Sequence, residues 1–148
     1  RLRMFAQNPP VSPPVVVRPF DPPRTAYGSG HRGIDLAAET GQEVRAMAGG
    51  RVAFAGLVAG IPVVSVTHAG GLRSTYEPVT ATVAIGDQVT AGERIGEVAA
   101  AGGHCGGEVG CLHVGLRDAH HYRDPTPLLA SALLKTLRHR RGDEPAGR

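Results

Sequence analysis

The sequence predicts an all-β fold made of short strands and tight turns. Glycine and proline are abundant, at 21 and 12 of 148 residues, and such a composition favours many turns over long helices. Hydrophobic residues make up 41% of the chain and aromatic residues only 4%, so we expect a core of Val, Ile, Leu and Ala. Several short runs are bounded by glycine and alternate between apolar and polar residues, as half-buried strands do. A single domain is expected at this length.

The first part of the chain is rich in proline. Residues 1–14 are predicted to be a linker, because closely spaced prolines favour an extended backbone. Residues 15–130 are predicted to be the folded domain. The three valines at 15–17 have no proline among them and are predicted to pair as an edge strand. Phe20 is the expected apolar anchor of this segment on the domain.

The predicted strands of the domain are short and flanked by turn residues, and they cover 43–46, 50–56, 63–67, 72–76 and 111–117. The third and fourth of these flank a glycine turn and form a predicted hairpin. His68 lies at that turn and is expected to be exposed. Two similar segments, each with a glycine-led turn before a valine, predict that Val44 and Val89 both point inward.

A helix is predicted near the C-terminal end, over residues 128–140, because four leucines there have helical spacing and basic residues follow them. Whether this helix packs on the domain or belongs to an exposed tail stays open. Residues 131–148 comprise the end of the helix and a polar tail that we expect to be disordered.

The formal charge is +3, and part of the positive charge lies in this tail, so we expect no nucleic-acid partner. A mildly basic surface would instead suit an anionic cell wall. The sequence contains no run of 18 apolar residues, so no membrane span is predicted. The chain begins with Arg1, from which we expect a processed or trimmed chain in which any signal peptide would already be gone. A secreted or cell-envelope location follows as an expectation.

A histidine and an aspartate lie four residues apart at His31 and Asp35. Both side chains can face one point if the backbone turns or bulges between them, and Gly33 provides that freedom. A later strand that carries His113 adds a second imidazole. Two histidine nitrogens and one carboxylate oxygen around an open fourth position form the ligand set of a catalytic zinc site. The spacing alone is also typical of a surface hydrogen bond.

Three separated segments resemble a known family. Residues 30–37 read Gly-His-Arg-Gly-Ile-Asp-Leu-Ala, residues 86–98 read Gly-Asp-Gln-Val-Thr-Ala-Gly-Glu-Arg-Ile-Gly-Glu-Val, and residues 112–117 read Leu-His-Val-Gly-Leu-Arg. Their order and spacing, over about residues 27–129, resemble the lysostaphin/LytM-type peptidoglycan endopeptidases. The resemblance implies antiparallel β-sheets that pack as a sandwich and form a groove lined by loops.

The resemblance also implies a cofactor and a substrate. Zn2+ would be held by His31, Asp35 and His113, and the substrates would be peptidoglycan peptides. Such a metal lowers the pKa of a bound water and polarises the scissile carbonyl.

Two auxiliary histidines of that family are replaced at the matching positions. Pro78 stands where a Tyr-x-His segment carries its histidine, and Cys111 stands at the first position of His-x-His. Proline has no proton to exchange, and a thiol acts as a base only as the thiolate. His104 in the preceding loop is a candidate catalytic substitute, and Glu77 is a second one. An exposed loop position and an outward strand position are the ordinary explanations for these two residues.

The cysteines, Cys105 and Cys111, lie close together in the sequence. Their even number and spacing fit a disulfide in an oxidising compartment, which would fix the strand that carries His113. The alternative is that Cys111 ligates zinc as a thiolate, fills the fourth position and makes the site structural.

The sequence leaves two functions open. The intact ligand set predicts a secreted zinc metalloendopeptidase that acts on cell-wall peptides, attenuated by the missing histidines. The replacements at Pro78 and Cys111 instead favour a zinc-binding, non-catalytic module that binds wall peptides or regulates a cell-wall hydrolase.

Overall fold

The computed structural model describes residues 8–25, 28–100, 110–126 and 129. Short strands dominate this part of the chain, and the all-β prediction is confirmed. The strands are β1 (Val16–Arg18), β2 (Gly33–Ala37), β3 (Glu43–Arg45), β4 (Gly50–Val58), β5 (Ile61–Thr67), β6 (Arg73–Glu77), β7 (Val79–Ala81), β8 (Gln88–Val89), β9 (Arg94–Val98), β10 (Cys111–Arg117) and β11 (Tyr122–Arg123).

The strands form two antiparallel sheets. The larger sheet has the order β1-β2-β10-β6-β5-β4-β8, with β11 paired to β10, and the smaller sheet has the order β3-β9-β7. Strand β10 thus lies between β2 and β6, although both precede it in the chain by a long interval. This insertion brings the two sequence segments that carry the histidines side by side.

The larger sheet has one buried face and one polar face. In β2 and β10 the even-numbered residues are apolar and almost fully buried, and they are Ile34, Leu36, Leu112, Val114 and Leu116. The odd-numbered residues of these strands face the other way, since successive side chains of a strand point to opposite sides. The core therefore holds the register of the sheet, and the polar face is available for function.

The two predicted inward valines are confirmed, because Val44 and Val89 are both buried. The glycines that lead their turns, Gly41 and Gly86, have φ of 89° and 96°, a left-handed conformation that glycine adopts without steric cost.

The N-terminal segment packs on the domain. Strand β1 pairs with β2 as an edge strand, one residue later than the predicted 15–17, and Phe20 packs against the core. Further upstream, Val11 is only 2% exposed, and the Arg45 N–H donates to the carbonyl of Pro10 at 2.9 Å. The boundary between linker and domain at residues 14 and 15 stays a prediction.

The predicted C-terminal helix over 128–140 lies outside the described residues, apart from Leu129, which is buried. Across the part of the chain that the structure describes, no helix is long and apolar enough to span a membrane.

His68 is buried, and the expectation that it is exposed is wrong. Its ring belongs to a chain of buried polar groups. The Nδ1–H donates to the carbonyl of Gly49 at 2.8 Å, and Nε2 accepts from the Ser74 hydroxyl at 2.7 Å. The Ser74 oxygen accepts from the Tyr76 hydroxyl at 2.8 Å, and the Tyr76 oxygen accepts from the Met47 N–H at 3.0 Å. Packing of the hairpin against the segment before β4, which contains Met47 and Gly49, explains the burial, and the turn signal gave no indication of it.

The titration of this network follows from its burial. Burial lowers the pKa of His68 and outweighs the hydrogen bond to Gly49, which raises it. Burial likewise raises the pKa of Tyr76 to about 12. Both residues are therefore neutral in the folded protein near neutral pH, as the direction of the hydrogen bonds requires.

We predict that His68 makes the fold less stable in mild acid. Because its pKa is lower in the folded state than in the unfolded state, the unfolded chain binds the extra proton first. The stabilisation is full above about pH 6.5 and is lost as the pH falls towards the folded-state pKa. Urea unfolding between about pH 7.5 and 5.5 measures this loss.

The variant His68→Gln isolates the contribution of this residue. We expect it to lower the free energy of unfolding by about 1–3 kcal/mol near neutral pH, because buried partners lose their hydrogen bonds, and to make the acid-induced decline shallower. The exposed His120, changed to Gln, is the matched control. An unchanged pH slope in His68→Gln would contradict the prediction.

Candidate metal centre and adjoining groove

The sheet pairing brings the predicted ligands together. Asp35 of β2 and His113 of β10 are directly opposite each other in the register. His31 lies just before β2, and its backbone pairs with Asp21, with the His31 N–H donating at 2.7 Å and the His31 carbonyl accepting at 2.9 Å. The N-terminal segment therefore fixes the position of His31.

The three ligand atoms form a small triangle. His31 Nε2 lies 3.2 Å from Asp35 Oδ1 and 3.2 Å from His113 Nδ1. His113 Nδ1 lies 2.9 Å from Asp35 Oδ1. Asp35 and His31 are buried, while His113 is partly exposed. One corner of the cluster is therefore accessible from the polar face of the sheet.

The tautomer of His31 follows from its other nitrogen. Nδ1 lies 2.8 Å from the carbonyl oxygen of Pro19, which can only accept a hydrogen bond, so Nδ1 carries the proton. In the neutral ring Nε2 then presents its lone pair to the cluster. A backbone carbonyl that orients a histidine in this way is typical of metal-ligating imidazoles.

The donor set fits a divalent cation such as Zn2+. Tetrahedral zinc ligands lie about 2.0–2.1 Å from the metal and hence about 3.4 Å from one another, and the three observed separations are close to that value. His31 Nε2 and Asp35 Oδ1 are both acceptors, and two acceptors at 3.2 Å repel unless a proton or cation lies between them. A fully buried carboxylate also needs a compensating positive charge.

The comparisons with known proteins identify the family. The family model described as peptidase family M23 matches residues 29–125, which include all three ligands and the register that joins them. This chain belongs to peptidase family M23.

Curated relatives of this M23 chain are known in mycobacteria. The chain is 47% identical over 128 residues to the uncharacterized proteins Rv2891 of Mycobacterium tuberculosis and Mb2915 of Mycobacterium bovis. The match covers 83% of this chain and 51% of each relative. The chain thus spans about half the length of the curated relatives it matches.

Solved M23 structures share the fold. The catalytic domain of the antimicrobial peptidase lysostaphin from Staphylococcus simulans is 23% identical, with a TM-score of 0.67 over 79% of this chain and 92% of that one. A mutant catalytic domain of the prophage-encoded M23 protein EnpA from Enterococcus faecalis is 27% identical, with a TM-score of 0.62 over 78% and 91% of the two chains.

A third similar structure is described as a zinc-containing peptidase from Vibrio cholerae. It is 23% identical, with a TM-score of 0.68 over 80% of this chain and 38% of that one. The predicted lysostaphin-like fold is therefore confirmed, and the described part of the chain forms a peptidase-like domain of the M23 type.

Gly33 is needed for a reason other than the expected turn. It lies in β2, and a Cβ at this position would come 2.8 Å from Nε2 of His113 and into contact with the carbonyl oxygen of Val114. The imidazole of His113 can therefore occupy its place only because residue 33 has no side chain.

A groove of about 770 Å³ adjoins the candidate metal centre on the polar face of the larger sheet. His113 lines it at one end, and the directly opposite residue of β6, Glu77, lines it beside His113. Glu77 is thus outward from the core, as expected for its strand position, and it also lies next to a ligand. Of the two residues weighed as catalytic substitutes, Glu77 is the one that lies within the described residues, and it lines the groove.

The other predicted site residues have different outcomes. Pro78 is buried after β6, and its carbonyl accepts from the Ala99 N–H at 2.9 Å. His104 and Cys105 lie outside the described residues, so the catalytic role of His104 and the disulfide between Cys105 and Cys111 stay predictions. The ligand cluster found among the described residues consists of His31, Asp35 and His113, and this geometry gives no support to Cys111 as a fourth ligand.

Several groove residues were not singled out from the sequence. They are Arg32, Arg73, Thr75, Gly115, Arg117 and Tyr122. The only signal in the sequence was the alternation in β10, where His113, Gly115 and Arg117 occupy the odd positions between buried apolar residues. The partners on β6 could not be found without the register.

We predict opposite effects for two glycines that face each other across β2 and β10. Gly33→Ala should lower the free energy of unfolding by about 1–3 kcal/mol, because the methyl group overlaps His113 and a carbonyl. A methyl group on its partner in the register, Gly115, would meet nothing within 4 Å. Gly115→Ala should therefore be neutral or slightly stabilising, since glycine weakens a strand. Urea unfolding of both variants makes the comparison, and equal destabilisation would contradict it.

Proposed function

We propose that this chain is a zinc metalloendopeptidase domain that acts on peptide bonds of peptidoglycan. One observation carries the proposal: His31, Asp35 and His113 converge with their ligand atoms 2.9–3.2 Å apart at one end of an open groove. Membership of family M23 and the likeness to lysostaphin, an antimicrobial peptidase, support the choice of substrate.

His31 Nε2, Asp35 Oδ1 and His113 Nδ1 would hold the zinc ion. Bound zinc supplies an acidified water and Lewis-acid polarisation of a peptide carbonyl. The chain's own contribution is positioning. The Pro19 carbonyl orients His31, Gly33 makes room for His113, and the groove can admit an extended peptide beside the partly exposed His113.

This chain differs from the family that it resembles in the residues that would transfer protons. Pro78 and Cys111 occupy the positions of the auxiliary histidines, and general acid–base assistance contributes about 10²–10⁴-fold. We propose that Glu77, opposite His113 in the register and in the groove, supplies a carboxylate in their place. His104 remains a second candidate for this role.

A cell-wall substrate requires a location outside the cytoplasmic membrane, and a secreted or cell-envelope location is part of the proposal. An oxidising compartment would also allow the disulfide between Cys105 and Cys111. This bond would fix the start of β10, two residues before His113.

A non-catalytic zinc-binding module is the second candidate function. It is favoured by the replacement of both auxiliary histidines at Pro78 and Cys111. Such a module would use the same groove to bind wall peptides or to regulate a cell-wall hydrolase, with zinc as a fixed part of the binding surface.

We predict that the purified chain retains about one zinc ion after dialysis, as a site with three protein ligands does. His113→Ala should lose the metal, because the removal of one ligand leaves two. Metal content measured by elemental analysis checks this, and His120→Ala, at an exposed position, is the matched control. A wild-type chain without zinc would exclude both candidate functions.

We predict that the zinc-loaded chain releases new peptide ends from purified peptidoglycan and that Glu77→Gln lowers the rate by about 10²-fold, since glutamine cannot exchange a proton. The substitution keeps the size and polarity of the side chain. Mass spectrometry of the released fragments gives the rate, and zinc content shows that the site is intact.

The two candidate functions give different outcomes in this digestion. If the zinc-loaded wild type releases no peptide ends, the non-catalytic module is the better description. If Glu77→Gln digests the wall as fast as the wild type, proton transfer must be assigned to another group, of which His104 is the first to change.

A further inference from the structure

The groove lies over a ladder of residues in register across the larger sheet, most of which line it. The row at one end contains Asp35, His113 and Glu77. The middle row contains small residues, namely Gly33, Gly115, Thr75 and Ser65. The row at the far end contains Arg117, Arg73 and Thr67. The groove therefore runs from the metal centre, over a floor of small side chains, to a pair of arginines.

Gly115 in the middle of this floor has no structural reason to be glycine. A Cβ at this position would meet nothing within 4 Å, and its φ is not in the left-handed region. Glycine weakens a strand and often marks a place where a ligand approaches closely. The open space above Gly115 is therefore the feature that keeps the passage between the two ends clear.

The arginines at the far end are held by neutral groups. Arg73 Nη2 donates to the Ser65 hydroxyl at 2.9 Å, so its guanidinium leans towards the middle row. The Arg117 guanidinium lies 4.9 Å from the centre of the Tyr122 ring, and Arg32 lies 5.9 Å from the same ring. Cation–π contact fixes a guanidinium without neutralising its charge.

The positive charge of Arg73 and Arg117 is not compensated by a carboxylate within the described residues. Other surface arginines form ion pairs, with Arg94 on Glu97 and Arg123 on Asp118. The Asp118 carboxylate also lines the groove, but it is engaged by the N–H groups of His120 and His121 and by Arg123. These three interactions lower its pKa.

We propose that the groove binds an extended peptide that carries a free carboxylate, and that Arg73 and Arg117 hold this carboxylate. The proposal rests on the proposed function, since it names the class of wall peptide that the site accepts. Guanidinium groups bind carboxylates through paired, charge-assisted hydrogen bonds. Peptides whose carboxylates are amidated would bind weakly.

The spacing of the rows sets where the carboxylate lies along the peptide. Four residues separate His113 from Arg117, which corresponds to about 13 Å along a strand. The guanidinium of Arg73 points towards the middle row, about one row closer to the metal centre than its own Cα. The carboxylate should therefore lie about two to four residues along the peptide from the peptide bond nearest the metal centre.

The test compares two synthetic stem peptides on the full, zinc-loaded chain. One is L-Ala-D-isoGlu-L-Lys-D-Ala with free carboxylates, and the other has the same sequence with both carboxylates amidated. Fluorescence anisotropy of labelled peptides gives Kd. We expect the free-carboxylate peptide to bind at least about 10-fold more tightly, which is the scale of a hydrogen bond between charged groups.

The variants separate the charge effect from the shape effect. The preference should disappear in the double variant Arg73→Gln/Arg117→Gln and persist in the control Arg94→Gln, which changes an arginine of the smaller sheet. Gly115→Leu should weaken both peptides, because its side chain would fill the passage. Urea unfolding of each variant confirms that it is folded, and Arg73→Lys/Arg117→Lys should restore part of the preference by restoring the charge.

Equal affinity for the two peptides would overturn the proposal, and so would a preference that survives in the double glutamine variant. Tighter binding of poly(glycerol phosphate) than of the free-carboxylate peptide would also overturn it, since the groove would then be a phosphate site.

Failure of the proposed peptidase function gives a different result from failure of the carboxylate proposal. A chain that discriminates between the peptides but cuts nothing contradicts only the peptidase function, and one that cuts but does not discriminate contradicts only the carboxylate assignment.

Discussion

The antiparallel pairing of β10 between β2 and β6 is the constraint on which the candidate metal centre depends. It places His113 opposite Asp35 on one side and opposite Glu77 on the other. A shift of one residue would turn His113 into the core and Leu112 to the surface, because strand side chains alternate. Burial of Leu112, Val114 and Leu116 on the core face therefore holds His113 in place. The same register therefore buries the apolar residues of β10 on one face of the sheet and presents His113 on the other face.

The fold class and the three side chains that converge at the candidate metal centre could be predicted from local signals, whereas the groove could not. Each glycine-bounded strand and each of the three motifs lies within a short stretch of sequence. Its conformation therefore depends largely on neighbouring residues, and it can be predicted without knowing the strand pairing. Arg73 and Arg117 are 44 positions apart in the sequence, and only the pairing of β6 with β10 makes them neighbours. His68 shows the same limit in reverse, since its turn signal was correct while its burial depends on Gly49, just before β4, and on Ser74 of β6. Gly33 was singled out correctly, but for conformational freedom rather than for the approach of His113.

Two glycines that face each other across β2 and β10 have different roles in the structure. Gly33 and Gly115 are partners in the register, yet their surroundings differ. The space above Gly33 is filled by the His113 ring, and the space above Gly115 is open. Both glycines weaken their strands relative to residues with side chains. Gly33 does so to make room for the His113 ring, and Gly115 does so without any contact that requires it, so the neighbouring strands must offset the weakness at both positions.

The electrostatics of the candidate metal centre would couple a bound cation to the stability of the fold. Asp35 is fully buried, and its Oδ1 and His31 Nε2 face each other as acceptors at 3.2 Å. Such an arrangement opposes folding unless positive charge compensates it. A cation that binds only the folded chain stabilises it in proportion to the logarithm of its concentration over Kd. Because His31 is held by Pro19 and Asp21, that stabilisation extends to the segment before β2. A cation held by His31, Asp35 and His113 would therefore link the N-terminal segment, β2 and β10, because each of the three carries or positions one of these side chains.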